Sequence, residues 1–236
     1  MEINTLKELF QEVKALKKDH SELWYRGQQN ATYKLVPSLA RHPNGFEMEN
    51  KIFETYCSFA KKLTPTHTNE WELLIDMQHY FVPTRLLDWS ESLGIALFFA
   101  YMNNKANQNA GLFILDPIEL NKKSNKYGIP VMPENTMGLS YVKSYINKEP
   151  YPVPHPIAIK CSYLNDRVLA QHGMFTIHTD TKEGLEDLYP EVVKKYTFTT
   201  NAIEDIAEYL EFSTINVSTV FPDFYGVASY IKLLLG

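Results

Sequence analysis

"WSESLGIALFFAYM" occupies residues 89–102, and from Leu93 onward every position except Gly94 is apolar. A helix that is apolar on nearly every side has no face for solvent, so this one belongs in the centre of the molecule. Asp88 and Glu91 stand before it at the spacing of a capping box, which predicts that Asp88 opens the helix. Upstream, Asn69 and Glu72 repeat that spacing. They open a second helix with Trp71, Leu74, Ile75 and Gln78 on its inward stripe, stopped by Pro83. A third, "GFEMENKIFETYCSFAKKL" (45–63), carries Ile52, Tyr56, Phe59, Ala60 and Leu63 on one side.

Further out, the first 19 residues read as an amphipathic helix started by Thr5 and Glu8, with Leu6, Leu9, Phe10, Val13 and Leu16 at helical spacing. "SELWYRG" reads as a strand closed by Gly27, and residues 28–45 as a long loop. Downstream the period shortens. "GLFILD", "IAIKC", "GMFTIHT" and "KKYTFT" are short, β-branched or aromatic, and bounded by turn residues, so they predict strands. In "GMFTIHT" the alternation puts Met174, Thr176 and His178 on one face, Phe175 and Ile177 on the other. Helices near 201–212 and 223–234 follow. Residues 119–154 hold five prolines and little periodicity, an irregular excursion of the same domain. Helices, then strands, then helices imply an α+β fold: one domain over 1–236 with a mainly antiparallel sheet flanked by helices.

Composition narrows the function classes. Hydrophobic residues are 44% and charged residues 22%, a globular balance that excludes disorder. The net charge of −5 and scattered lysine pairs give no basic arm for nucleic acid. Two cysteines are too few for a disulfide scaffold or a zinc site, and seven histidines show no metal spacing. Without a signal-peptide core or a run of about 18 apolar residues, the chain is expected to be cytoplasmic and to stay off membranes. Dinucleotide, P-loop, zincin and nucleophile-elbow motifs are absent.

The chemistry-bearing residues gather in four stretches. In "WYRGQ" (24–28), Arg26 offers a planar donor fork beside a flexible glycine, suited to a carboxylate or phosphate, or to a buried ion pair with an acid such as Asp88. In "DMQHYFVPTRLLDWS" (76–90), Gln78, His79, Tyr80, Thr84, Arg85 and Asp88 crowd between apolar runs. Two readings stay open there: a pocket wall, or a polar network satisfied by its own members. "QHGMF" (171–175) adds Gln171, His172 and Phe175 as candidate contacts, against a plain turn leading into a strand. "STVFPDFYG" (218–226) adds Asp223, which suits a helix start and is also a candidate acid.

Taken in order, "WYRGQ", "MQHYFVPTRLLDWSESLGIALFFA", "RVLAQHGMFTIH" and "TVFPDFYG" resemble the FRG domain family, from about residue 20 to the C-terminus. The resemblance implies a bacterial or phage-associated protein of a defence or toxin-like system. A more distant likeness is to ADP-ribosyltransferases of the Arg–Ser–Glu type. Tyr25-Arg26-Gly27 is similar to their first element, and Ser90-Glu91-Ser92 followed by Ala96, Phe99 and Ala100 to their second. That likeness implies NAD⁺ as cofactor, with Arg26 on its pyrophosphate and Ser90 near a ribose. The third element, Glu-x-Glu, is replaced by "NDRVL", with Asn165 and Arg167 in place of the glutamates, so a catalytic acid would have to be Glu91, Asp88 or Asp223. The alternative is a non-catalytic module that senses a small anionic ligand or nucleotide, or binds a protein partner.

Overall fold

Short segments rich in β-branched and aromatic residues, several of them buried on both faces, form seven strands among the described residues, and hydrogen bonding joins them in one sheet. The computed structural model describes residues 1–63, 69–102, 109–124, 130, 139–149, 155–160, 166–233 and 235. The strands are β1 (Glu2–Ile3), β2 (Trp24–Gln28), β3 (Leu86–Ser90), β4 (Gly111–Leu115), β5 (Ile157–Ile159), β6 (Gly173–Ile177) and β7 (Val193–Phe198). Their order across the sheet is β1-β7-β4-β2-β3-β6-β5. Among the described strands only β1 and β7 run parallel, so the fold is α+β with a mainly antiparallel sheet, as the sequence implies.

The ladders are uneven. β2 pairs with β4 from Trp24↔Leu115 to Gln28↔Gly111, and β3 with β6 from Leu86↔Ile177 to Ser90↔Gly173. Between β2 and β3 the ladder holds a single pair, Tyr25↔Ser90. Two well-knit halves therefore meet at one rung and diverge beyond it.

Two helical layers cover one face. On the β2–β4–β7 half lie α1 (Leu6–Asp19), α5 (Leu93–Tyr101) and α9 (Thr200–Phe212), packed on Tyr25, Leu112, Ile114 and Tyr196. On the β3–β6–β5 half lie α3 (Gly45–Leu63) and α4 (Glu70–His79), packed on Leu86, Phe175, Ile177 and Ile159. Trp24, Leu87, Trp89, Phe113 and Met174 alternate to the other face, under Leu35, Leu120 from α6 (Pro117–Ser124) and Leu185 from α8 (Leu185–Leu188). As its composition predicts, α5 is central, with Gly94 through Phe98 and Ala100 buried. It comes so close to β2 that a Cβ on Gly27 would stand 1.7 Å from the Ala96 carbonyl oxygen. The glycine of "YRG" is there to admit a helix.

Several expectations need correction. Asp88 does not cap α5. It sits mid-strand in β3, and Ser92 is the cap, accepting from the Ile95 N–H. The alternation of "LLDWS" and its pairing with β6 outweigh the fortuitous Asp–Glu spacing. The loop from 28 to 45 contains a short helix, α2 (Ser38–Arg41), whose Leu39 N–H donates to the Thr84 carbonyl. Within 119–154, α6 continues to Ser124 and a π-helical turn spans Val142–Ile146, while 125–129, 131–138 and 150–154 lie outside the described residues, as do Cys161 and Asn165. "DRVLA" is a helix, α7 (Asp166–Ala170). The last two helices form as expected, α9 and α11 (Phe224–Leu233), with a short α10 (Val217–Val220) between them. Among the described residues no helix is long and apolar enough to cross a membrane.

Candidate functional site

Where β2 and β3 part, the two helical layers also part, and a cleft of about 460 Å³ opens between them. Residues alternating to the helix-bearing face form its floor: Tyr25 and Gly27 from β2, Leu86, Asp88 and Ser90 from β3, Phe175 from β6. One wall comes from α4 with Ile75, Gln78 and His79, the other from α5 with Ile95, Ala96 and Phe99. Ser38 and Arg41 border the cleft from α2, and Phe221, Tyr225 and Arg167 from the C-terminal segments and α7. Its volume lies within the range of small-molecule sites, roughly 300–1,000 Å³.

Arg26 bridges the gap between the strands. Its Nη1 donates to the Asp88 carbonyl at 2.7 Å, taking the place of a β2 N–H, and lies 3.6 Å from Asp88 Oδ2. The Asp88 carboxylate, half-exposed in the cleft, accepts from Gln78 Nε2 at 3.0 and 2.9 Å. Gln78 in turn is fixed by Thr84, whose hydroxyl donates to Gln78 Oε1 and accepts the Leu86 N–H at 3.0 Å. Leu86, Thr84, Gln78, Asp88 and Arg26 thus form one chain of hydrogen bonds.

That chain leaves polar atoms over. Tyr25 Oη, Arg26 Nε, His79 Nδ1 and Arg167 Nε are buried, have no partner among the described residues, and belong to side chains lining the cleft. Leaving such a group unsatisfied costs about 1–3 kcal/mol. Burial pushes the Tyr25 phenol up to about 12, keeping it a neutral donor. Burial lowers the Arg26 pKa, with Asp88 opposing and Arg41 adding to the shift. Burial, and then Arg167, lower that of His79, favouring neutral imidazole. Three guanidiniums, Arg26, Arg41 and Arg167, face a cleft whose one lining carboxylate among the described residues is Asp88.

Of the residues singled out in the sequence, Tyr25, Arg26, Gly27, Gln78, His79, Asp88, Ser90, Gln171 and Phe175 come together around this cleft. Ser90 Oγ is already engaged, donating to the Gln171 carbonyl at 2.7 Å, and Gln171 Nε2 donates to the Val220 carbonyl. Thr84 is buried behind Gln78 and acts through it. Arg85 stays away from the cleft: fully buried, it is ion-paired with Glu49 and Asp180 and donates to the His178 carbonyl, between the rings of Phe46 and Tyr145. Tyr80, 60% exposed, and His172, exposed in a turn at φ 46°, do not line it either. Glu91 pairs with Lys160 at 3.4 Å. Asp223 accepts from the Gly226 N–H at the start of α11 and from Arg167 Nη2 at 2.7 Å, and these bonds, against burial, lower its pKa.

Arg41, Phe81, Phe99, Phe221, Tyr225 and Arg167 also line the cleft, and the sequence does not single them out as contacts. Arg167 ties three segments, donating to the His79 carbonyl as well as to Asp223 and lying over the rings of Phe81 and Phe221. Phe81 holds φ at 61°, a strained value for an aromatic residue, and meets Tyr225 edge-on at the rim. No group of three His, Cys, Asp or Glu side chains among the described residues is placed to hold a metal ion.

Residues 21–109 match the FRG domain family. The match takes in β2 through α5, hence Arg26, Gln78, Asp88 and Ser90, and ends before β4. The segments around Gln171 and Asp223, part of the resemblance as read from sequence, lie beyond it. No curated protein and no solved structure matches the chain.

Proposed function

We propose that the cleft binds an anionic small molecule with an aromatic body, a nucleotide or NAD⁺ by class, and holds it without cleaving it. The observation that carries this reading is the set of buried, unpartnered donors around a roomy opening: Tyr25 Oη, Arg26 Nε and Arg167 Nε, with His79 Nδ1 beside them. A phosphate or carboxylate at Arg26 and Arg41 would satisfy a fork that Asp88 engages through Nη1 alone. Phe99, Phe221 and Tyr225 offer apolar surface for a base, and stacking on such rings tolerates any base.

ADP-ribosyl transfer is the second reading, favoured by one arrangement. Ser90 ends β3 and Ser92 caps α5, beside Arg26 and Gly27. Against it, Arg167 occupies the place of an acid and is consumed in pairing with Asp223. Asp88 is then the one acid facing the cleft among the described residues. Sensor or transferase, the chain would suit an effector in a bacterial or phage conflict system. A thermal-shift panel of NAD⁺, ADP-ribose, AMP, cyclic nucleotides and pyrophosphate, followed by mass analysis for free nicotinamide, tests the proposal. A ligand that stabilises the protein and is recovered intact supports binding alone. Nicotinamide release selects transfer or hydrolysis, and a panel with no shift overturns both.

A further inference from the structure

Asp88 is a poor choice for the middle of a strand, where short polar acids are depleted. Its neighbours in β3 are buried and it alone is exposed, onto the cleft floor. Its carboxylate is held by an amide that cannot turn over. Thr84 donates to Gln78 Oε1, which forces Gln78 Nε2 toward Asp88, and Thr84 itself is locked by the Leu86 N–H. Arg26 fixes the same residue through its carbonyl. A chain that sets aside a threonine, a glutamine and an arginine to aim one carboxylate into an otherwise cationic cleft is building an acceptor. Each carboxylate oxygen has one Gln78 contact and retains accepting capacity toward the opening.

Resting on the reading of the cleft as a nucleotide site, we infer that Asp88 accepts hydrogen bonds from the vicinal hydroxyl pair of a ribose whose phosphate lies on Arg26. Gln78 and Thr84 are positioning residues acting through Asp88. Two parallel O–H donors match two carboxylate oxygens, and the hydroxyls supply the protons that a phosphate, itself an acceptor, cannot offer to an acid. The site therefore selects ribo- over deoxyribo-ligands. Removing the charged acceptor forfeits charge-assisted bonds, roughly a 10- to 150-fold loss of affinity.

Isothermal titration of the whole chain with AMP, 2′-deoxy-AMP, ribose 5-phosphate and pyrophosphate tests this. Wild type should bind AMP at least tenfold tighter than 2′-deoxy-AMP. Asp88→Asn should bind both at the deoxy level while keeping its affinity for pyrophosphate. Gln78→Met, which leaves the carboxylate in place but unheld, should lose part of the preference, and serves if Asp88→Asn does not fold. Ribose 5-phosphate binding as AMP does would assign the selectivity to the sugar rather than the base. Equal binding of the two nucleotides by wild type, or a preference that survives Asp88→Asn, overturns the inference and leaves the cleft reading standing. No binding by wild type to any of the four overturns both.

Discussion

Replacing Arg26 with alanine separates a ligand-binding arginine from a structural keystone. Among the described residues Arg26 makes one hydrogen bond, to the Asp88 carbonyl, and one longer ion pair to a carboxylate that is 51% exposed. Breaking a fully buried pair costs about 3–5 kcal/mol because the abandoned charge stays buried. Here the abandoned carboxylate keeps both Gln78 contacts and its water, so that penalty is largely absent. The loss reduces to one charge-assisted hydrogen bond, about 1.5–3 kcal/mol. Relief of a guanidinium whose pKa burial and Arg41 already lower offsets part of it. The expected cost is therefore about 1–2 kcal/mol, which for a chain of this size lowers the melting temperature by roughly 2–8 °C. Urea denaturation gives the stability and its slope the compactness. Ligand-induced thermal shift on the same samples should vanish for pyrophosphate and nucleotides alike. A loss above about 4 kcal/mol, or a shift retained by the variant, would refute this account of Arg26.

Two further outcomes test the framework around the cleft. Gly27→Ala should destabilise the protein by about 1–3 kcal/mol or more, because the new methyl must push α5 away from β2, and urea midpoints will register it. His178 is fully buried, shares a hydrogen bond with the Thr176 hydroxyl, and has its pKa pushed down to about 3 by burial with Arg26 and Arg85 nearby. Since the unfolded chain takes up that proton near pH 6.5 and the folded chain does not, stability falls as pH drops from 6.5 toward 3, by about 1.4 kcal/mol per pH unit. Chemical denaturation between pH 7 and 4 should show that slope, and His178→Leu should flatten it.

Much of the fold was legible because its signals were local. The Asn69 cap, the all-apolar α5 and the short β-branched and aromatic strands downstream each reside in a dozen residues or fewer. The stripe expected on α3 holds only in part: Ala60 is buried, but Phe59 is 67% exposed. β3 was misread because a strand buried on both sides of a single acid looks, over five residues, like a capped helix start, and only pairing with β6, some 90 residues on, decides it. The meeting of Arg26 with Gln78 and His79 followed from crowded polar groups between apolar runs. Arg85 could not be separated from them by sequence, since its partners Glu49 and Asp180 come from α3 and from beyond β6. Arg167 and Tyr225 join the cleft only because α7 and α11 pack back toward α4, a long-range contact that periodicity does not encode.

A crystal structure with ADP-ribose bound decides whether the cleft is a nucleotide site. Phosphate oxygens should lie within hydrogen-bonding distance of Arg26 Nε, with the ribose over Asp88 and the base against Phe221 and Tyr225. Ligand lodged elsewhere, with Tyr25 Oη and Arg26 Nε still unpaired and the cleft empty, would contradict that reading.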